Sequence, residues 1–564
     1  MRLFFAMGFP AGIVELVDIL SRLGVEEAVI CPGSRNAPLM LALARHPKIH
    51  CYSISDERSA GFFGLGLVLA SKKPVILCCT SGSAGLNFAP AVVEAFFQEL
   101  PLLVFTADRP AEWIGQWDGQ TIYQKELYGN HVKQFIDFQT HTLQKGDYYL
   151  NVGIGAYQQA SAEPKGPVHI NFPISEPFYP GQGETLPISS LPILSENDLV
   201  KLDTENHVKS VDLHRYFDTK KTQSILITVG QRPYNNAENE YFSKLASLGI
   251  PVIGDATANL PAACQCDHDL ILANEDLWPT LKPDLHIHFG KSFVSKRIKQ
   301  FLRREKPNKS FLIHPNPIGR PDPFQSLTDV ILMDTLSFFQ EFIWPSEQTN
   351  PWKPLAQRVN SIQEKFFNRP NFTELHIYND LIKKIENTEG AQVHVANSLA
   401  IRYVNWTSAH FANAEVFSNR GTSGIDGCLS TAVGASQKTS ELIISMIGDV
   451  AFHYDKNALW NQYVPNNLRI IVFNNGGGGI FRNLEGAKEL PELEDFMETK
   501  QNLTAKNTCL DAGINYFSVR CFEDWDAISN QFFSPGQKGS LVEIFTNSTD
   551  NADELKKYMD LFRA

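Results

Sequence analysis

No apolar run in these 564 residues reaches the roughly 18 positions that a membrane-crossing helix needs, so no membrane insertion is expected. The weakly charged stretch before Pro10 is too short for a secretory leader. Cysteine is scarce and unordered. The nine present, among them Cys31, Cys78, Cys79, Cys264 and Cys266, show none of the paired spacings of a metal knuckle, and Cys264-Gln265-Cys266 is read as incidental. Reduced, mostly buried thiols are expected. Positive charge is in deficit, with 50 Lys and Arg against 62 Asp and Glu and a formal net charge of −12. That balance argues against nucleic acid or an anionic membrane as a partner, and an anionic ligand would need a local basic cluster. A Gly-x-Gly-x-x-Gly between strand and helix is also missing, which argues against a nicotinamide or flavin carrier. These absences describe a cytoplasmic protein. What is present is ordinary globular material, 43% hydrophobic and long enough for about three or four domains.

Two stretches read as linkers, the Pro-, Gly- and Ser-rich residues 180–194 and the proline-rich residues 345–354. They divide the chain into residues 1–180, 195–344 and 355–564. The middle part carries short apolar runs at 225–229, 251–254, 285–289 and 311–313, separated by helix-like segments, and reads as an α/β layer. Its Gly290-Lys291-Ser292 is not the end of a phosphate loop, because Leu285 stands where the first glycine must be.

The densest information lies at residues 448–475. Residues 442–447 and 468–473 are continuous Ile-, Leu- and Val-rich runs, as in strands buried on both faces of a parallel sheet, and residues 456–463 between them are expected to be helical. A right-handed crossover would end both strands on one edge, where ligands bind. Asp449 and Asn475 follow those ends. Their side-chain oxygens with the Gly477 carbonyl would fill half of an octahedral Mg²⁺ or Mn²⁺ shell, leaving the rest for phosphate and water. Diphosphate oxygens are expected near Gly448 and the helix start. The same residues equally suit a helix cap and a turn.

An internal repeat adds weight. Strand, turn and helix at residues 28–34 recur at 393–398, with Ser34 and Ser398 standing 364 apart. Ser55-Asp56-Glu57 and Ser418-Asn419-Arg420, with Glu57 and Arg420 363 apart, each precede a Gly- and Ser-rich segment expected to be helical from that point. Residues 75–80, 89–98 and 102–107 echo the metal-site unit, Thr80 and Gly448 being 368 apart. Three matches in register indicate two copies of one doubly wound domain.

The residues now on the page resemble the thiamine diphosphate enzymes over essentially the whole chain. The likeness is carried by Cys31-Pro32-Gly33-Ser34-Arg35-Asn36-Ala37-Pro38, Asp56-Glu57-Arg58, Thr80-Ser81-Gly82-Ser83-Ala84, Thr106-Ala107-Asp108-Arg109-Pro110, Ser418-Asn419-Arg420-Gly421 and residues 474–481. Within that family it is most similar to the branch acting in menaquinone biosynthesis. The resemblance implies three doubly wound parallel-sheet α/β domains: pyrimidine-binding, central, and diphosphate- and metal-binding. It implies thiamine diphosphate held by Glu57, Ser398, Gly424, Ile425, Gly448, Asp449 and Asn475. Glu57 would hydrogen-bond the aminopyrimidine and Ile425 would wedge the cofactor into its bent form. The metal would be Mg²⁺ or Mn²⁺ on Asp449, Asn475 and the Gly477 carbonyl.

The implied reaction decarboxylates 2-oxoglutarate and adds the resulting carbanion to isochorismate. Both substrates are dicarboxylates, for which bidentate guanidinium groups are suited. Ser398, Arg402 and Arg420 match the 2-oxoglutarate side. Ser34, Arg35, Arg109, Gln120, Lys296 and Arg297 match the isochorismate side, with Ile480 and Phe481 as an apolar wall. The histidines, His453 included, are read as structural or solvent-facing. A homo-oligomer, dimer or tetramer, with active sites at the subunit interface is implied. This sequence departs from the family pattern at Cys31, where serine is common, at Val450, in place of a glycine, and at Gly476 to Gly479, which replace an asparagine and a glutamine and are expected to loosen that loop. Another thiamine diphosphate-dependent carboligase or decarboxylase, or a non-catalytic homologue, stays open at this point.

Overall fold

The computed structural model describes residues 10–140, 147–176, 178–179, 213, 224–345, 347–368, 370–386, 388, 390–408, 411 and 414–563. The 180–194 linker thus lies outside the described residues. Three parallel sheets organise the chain, in line with the expected α/β class. The first contains β1 (Glu27–Ile30), β2 (His50–Ser53), β3 (Val75–Cys79), β4 (Leu102–Asp108), β5 (Gln134–Asp137) and β6 (Val168–Pro173), in the order β2-β1-β3-β4-β6-β5. The second holds β7 (Ile225–Val229), β8 (Val252–Gly254), β9 (Leu285–Phe289), β10 (Lys309–Ile313) and β11 (Asp329–Ile331), ordered β11-β10-β9-β7-β8. The third comprises β12 (Gln392–Val395), β13 (Glu415–Phe417), β14 (Ile443–Gly448), β15 (Leu468–Asn474), β16 (Asn515–Val519) and β17 (Ser540–Phe545). Its order, β13-β12-β14-β15-β17-β16, repeats that of the first sheet strand for strand. The central strands β3, β4 and β15 are buried along their whole length, in keeping with their mostly apolar sequences.

The chain divides into two compact units. One comprises the residues up to 206 with Gly421–Ser440 and Asp455–Pro465. It contains the first sheet, whose strands are all parallel and therefore end on one edge. Here the Glu57–Ser71 helix lies against the Cys428–Ala435 helix at a distance only glycine permits. A Cβ on Gly66 would sit 2.1 Å from the Thr431 carbonyl oxygen, and one on Gly434 2.0 Å from that of Phe63. The other unit comprises His207–Arg420, Glu441–Tyr454 and Asn466–Ala564, with the second and third sheets.

Two local expectations differ from the structure. The segment after Arg420 is not helical at once: residues 421–427 form turns, and the helix starts at Cys428. Glycines 421, 424 and 427 disfavour a helix here, and the turn is held by a side chain distant in sequence, Glu94, which accepts from the Gly421 and Thr422 N–H groups. After β14 the chain turns at once into a six-residue helix, Asp449–Tyr454, and residues 456–459 make only a single 3₁₀ turn. Asp455 shapes this break, because its carboxylate is committed to Ser430 N–H and Oγ at 2.7 and 2.6 Å. Among the described residues no helix is long and apolar enough to cross a membrane. All nine cysteines are free, seven of them buried.

Candidate active site

In the second unit, β14 and β15 are adjacent and in register from Ile443↔Leu468 to Gly448↔Phe473, so Asp449 and Asn475 emerge side by side at one edge. The Asp449 carboxylate is buried. It accepts from Gln501 Nε2 at 2.6 Å and from the N–H groups of Val450, Gly477 and Gly476, yet burial pushes it up to about 6. Asn475 donates its Nδ2 to Glu374 Oε1 at 2.8 Å. Its Oδ1 is buried and accepts no hydrogen bond from a described residue. Gly477 adopts φ +153°, and a Cβ there would lie 2.6 Å from the Glu498 carbonyl oxygen. Beside Gly448 a Cβ would meet nothing within 4 Å, so there is room at the strand end.

The glycine run is tied down, contrary to the looseness expected of it. Gly476 accepts from Gln501 N–H at 3.0 Å, Gly478 donates to the Glu498 carbonyl at 2.7 Å, and Glu498 is itself paired with Arg482. An orphaned amide oxygen, a buried carboxylate and a glycine carbonyl form an all-oxygen donor set that fits a hard divalent cation. Among the described residues no group of three His, Cys, Asp or Glu side chains could bind a metal instead.

The neighbouring strand ends of the same sheet carry the expected substrate residues. Ser398, after β12, takes φ +73°, a strained conformation for a side chain with a Cβ, and its carbonyl accepts from Arg402 Nη1 at 2.6 Å. Arg420, after β13, donates from Nη1 to Asn397 Oδ1 at 2.8 Å, and the loop behind it is braced by Gln231 on the Ser418 carbonyl at 2.9 Å and Ser292 on that of Arg420 at 3.3 Å. The rejected phosphate loop thus serves as a strut. Ile480 and Phe481 form part of a half-buried 3₁₀ turn, Gly479–Asn483. Lys296 is exposed at the head of its helix. Arg297 is engaged by Asp269, with its Nη1 3.2 Å from both the carbonyl and Oδ2.

In the first unit, the C-terminal edge of the first sheet gathers Ser34 and Arg35 after β1, Glu57 after β2, and Arg109 with Gln120 after β4. Asp56 caps the Glu57–Ser71 helix through Ser59 N–H at 3.2 Å and is held by Asn457 at 2.7 Å, which fixes Glu57 at the first helical position. Burial, followed by the nearby Glu57 carboxylate, pushes the Cys31 thiol well up. Arg35 is buried, donates to the Ile174 carbonyl at 2.6 Å and lies over the Phe178 ring. Burial and, after it, the Arg109 charge lower its pKa. Arg109 bonds Asp118 at 2.8 Å, Ser81 Oγ at 3.3 Å and the Gly119 carbonyl at 2.6 Å. Gln120, at φ +56°, passes within 3.3 Å of a Cβ placed on Gly82. Gly424 and Ile425 are half-buried in the loop held by Glu94, so Ile425 is not an ordinary core isoleucine.

Four site residues escaped the sequence reading. Gln501 and Glu374 contact the Asp449 and Asn475 side chains, Glu94 fixes the 421–422 turn, and the pKa of Lys299 is lowered by burial and, against the larger opposing effect of Asp255, by the Arg420 charge. Only Glu94 left a trace, as an acidic residue inside the apolar face of Ala89–Gln98.

Residues 14–132 match the model described as the thiamine pyrophosphate enzyme N-terminal TPP binding domain, and residues 196–393 match the middle domain of thiamine pyrophosphate enzymes. The 2-succinyl-5-enolpyruvyl-6-hydroxy-3-cyclohexene-1-carboxylate synthase of Cytophaga hutchinsonii is 39% identical over 97% of this chain and 98% of its own. That of Flavobacterium psychrophilum is 37% identical over 87% and 88%, and that of Bacteroides fragilis 35% over 97% and 98%. The chain belongs to the thiamine diphosphate enzymes, in the group of the 2-succinyl-5-enolpyruvyl-6-hydroxy-3-cyclohexene-1-carboxylate synthases.

Proposed function

We propose that this enzyme decarboxylates 2-oxoglutarate and transfers the resulting four-carbon unit to isochorismate, with thiamine diphosphate and Mg²⁺ or Mn²⁺ as cofactors. The observation that carries the reading is the placement of the guanidinium groups. Arg35 and Arg109 stand at the sheet edge that bears Glu57, and Arg402 and Arg420 at the edge that bears Asp449, which is where two dicarboxylates would have to be read on an otherwise acidic protein.

When bound, thiamine diphosphate supplies the electron sink for the pair left as CO₂ departs. Glu57 hydrogen-bonds the pyrimidine ring nitrogen and holds the proton there. Ile425 supports the bent cofactor from the loop clamped by Glu94, with Gly424 beside it. Asp449, Asn475 Oδ1 and the Gly477 carbonyl hold the cation that neutralises the diphosphate, and the open space at Gly448 admits it. Ser398, Arg402 and Arg420 fix the 2-oxoglutarate carboxylate. Ser34, Arg35, Arg109, Gln120, Lys296 and Arg297 receive isochorismate, for which Arg297 exchanges part of its bonding to Asp269, and Ile480 and Phe481 exclude water from its ring. Residues 1–180, 195–344 and 355–564 act as pyrimidine-binding, central and diphosphate-binding domains of a cytoplasmic homo-oligomer, with sites shared between protomers.

The test mixes purified protein, thiamine diphosphate, Mg²⁺, 2-oxoglutarate and isochorismate, and follows CO₂ release together with loss of the diene absorbance. Pyruvate offered in place of isochorismate separates this activity from that of other carboligases. Turnover with pyruvate alone would overturn the assignment. Glu57→Gln should retain cofactor binding, read by tryptophan quenching, and lose at least about 100-fold in decarboxylation; full activity would remove Glu57 from the reaction.

A further inference from the structure

Glu374 opens the Glu374–Glu386 helix and is buried, yet none of the family motifs includes it. Its backbone is pinned by Asn551 Oδ1 at 3.0 Å. Its Oε1 accepts from Asn475 Nδ2 at 2.8 Å and from Thr546 Oγ1 at 3.3 Å. Burial pushes its carboxyl up to about 7, and the Asp449 charge adds to the rise. An asparagine amide offers two ends of nearly equal shape, one a donor and one an acceptor, and only its oxygen can bind a cation. Glu374 Oε1 accepts from Thr546 Oγ1 as well, so the end of the amide that Asn475 turns towards it is the donor Nδ2, and its oxygen faces the other way. That oxygen is the buried Oδ1 that takes no hydrogen bond from a described residue.

We propose that Glu374 is a positioning residue of the metal site, whose accepting Oε1 locks the Asn475 amide with Oδ1, not Nδ2, presented to the divalent cation. The inference rests on the metal-binding reading above. Residues that orient a metal ligand in this way are typically worth 10- to 100-fold in metal affinity.

The experiment titrates Mn²⁺ into the full-length protein with thiamine diphosphate and reads free Mn²⁺ by electron paramagnetic resonance. It uses wild type, Glu374→Gln, Glu374→Asp, Asn475→Ala and the Glu374→Gln/Asn475→Ala double variant. Glutamine keeps the shape but can donate as well as accept, so the amide of Asn475 is no longer dictated; its Mn²⁺ affinity should fall about 10-fold, and that of Glu374→Asp by less. In the Asn475→Ala background the Glu374→Gln change should cost much less, because the group it orients is gone. Thermal midpoints without metal report whether each variant has folded, and a merely structural role would give the same loss in both backgrounds. Equal losses in the two backgrounds, wild-type affinity in Glu374→Gln, or Glu374→Asp binding no better than Glu374→Gln would each overturn the proposal. Failure of the wild type itself to take up Mn²⁺ would instead overturn the metal site.

Discussion

The turn at residues 421–427 should depend on one side chain more than 300 positions away. Glu94 is fully buried in the Ala89–Gln98 helix. Its Oε1 accepts from Gly421 N–H at 2.8 Å and Gln98 Nε2 at 2.6 Å; its Oε2 accepts from Thr422 N–H and Thr422 Oγ, both at 2.6 Å. Glu94→Gln preserves volume but replaces one oxygen by NH₂. With the nitrogen at the Oε2 position it faces Thr422 N–H; in the flipped orientation it faces Gly421 N–H. The Thr422 hydroxyl and the Gln98 amide can turn to accept, but a backbone N–H cannot, so either orientation leaves one part-buried donor opposed by another. An unsatisfied buried donor costs about 1–3 kcal/mol, and the surviving bonds lose their charge assistance, for a total of about 2–4 kcal/mol. Because the cost falls on one loop, native-state hydrogen exchange is the appropriate assay. The Gly421 and Thr422 amides should exchange roughly 30- to several-hundred-fold faster, about a decade per 1.4 kcal/mol, while β4 stays protected. Thiamine diphosphate should also bind more weakly, since Gly424 and Ile425 follow directly. Exchange at both amides within about threefold of wild type would show that Glu94 does not hold the turn, and the role given to it would fall.

Gly66→Ala should destabilise the protein by about 3 kcal/mol or more, because the added methyl would meet the Thr431 carbonyl at 2.1 Å and the Ala435 nitrogen at 2.5 Å, and backbone cannot rotate away. An unchanged thermal midpoint would mean that the two helices are not this close. Burial pushes the Asp455 carboxyl up to about 7, against its bonds to Ser430 and the Arg58 charge, whereas the unfolded chain ionises it near 3.8. Its contribution is therefore full below about pH 4 and lost as pH rises towards 7, so Asp455→Asn should gain on the wild type across that window by an amount on the order of a few kcal/mol. A difference in thermal midpoint that stays constant from pH 4 to 8 would refute this.

What could be read from the sequence and what could not follow from the range of the interactions involved. Strands were legible where burial on both faces leaves a continuous apolar run; β3, Val-Ile-Leu-Cys-Cys, carries that mark in its own residues. The repeat was legible because each copy must place a loop after the same strand, and the identical strand orders follow from that constraint. The segments that misled are those whose geometry is set from far away. Residues 421–427 hold three glycines, 421, 424 and 427, among Thr, Ser and Asp, which delay the helix, and Glu94 holds the turn by accepting from the N–H groups of Gly421 and Thr422. Asp455 ends the short helix after Asp449 because its carboxylate is held by Ser430. The same holds at the metal edge. Asp449, Asn475 and Gly477 carry a recognisable pattern of oxygen donors after two apolar runs, while Glu374 and Gln501 contact the first two from outside the pattern, where any element that reaches them would serve. A motif therefore reports the atoms that would touch a ligand. The side chains that decide which way those atoms point are fixed by tertiary structure, and they are the residues at which variants of this enzyme should separate metal affinity from folding.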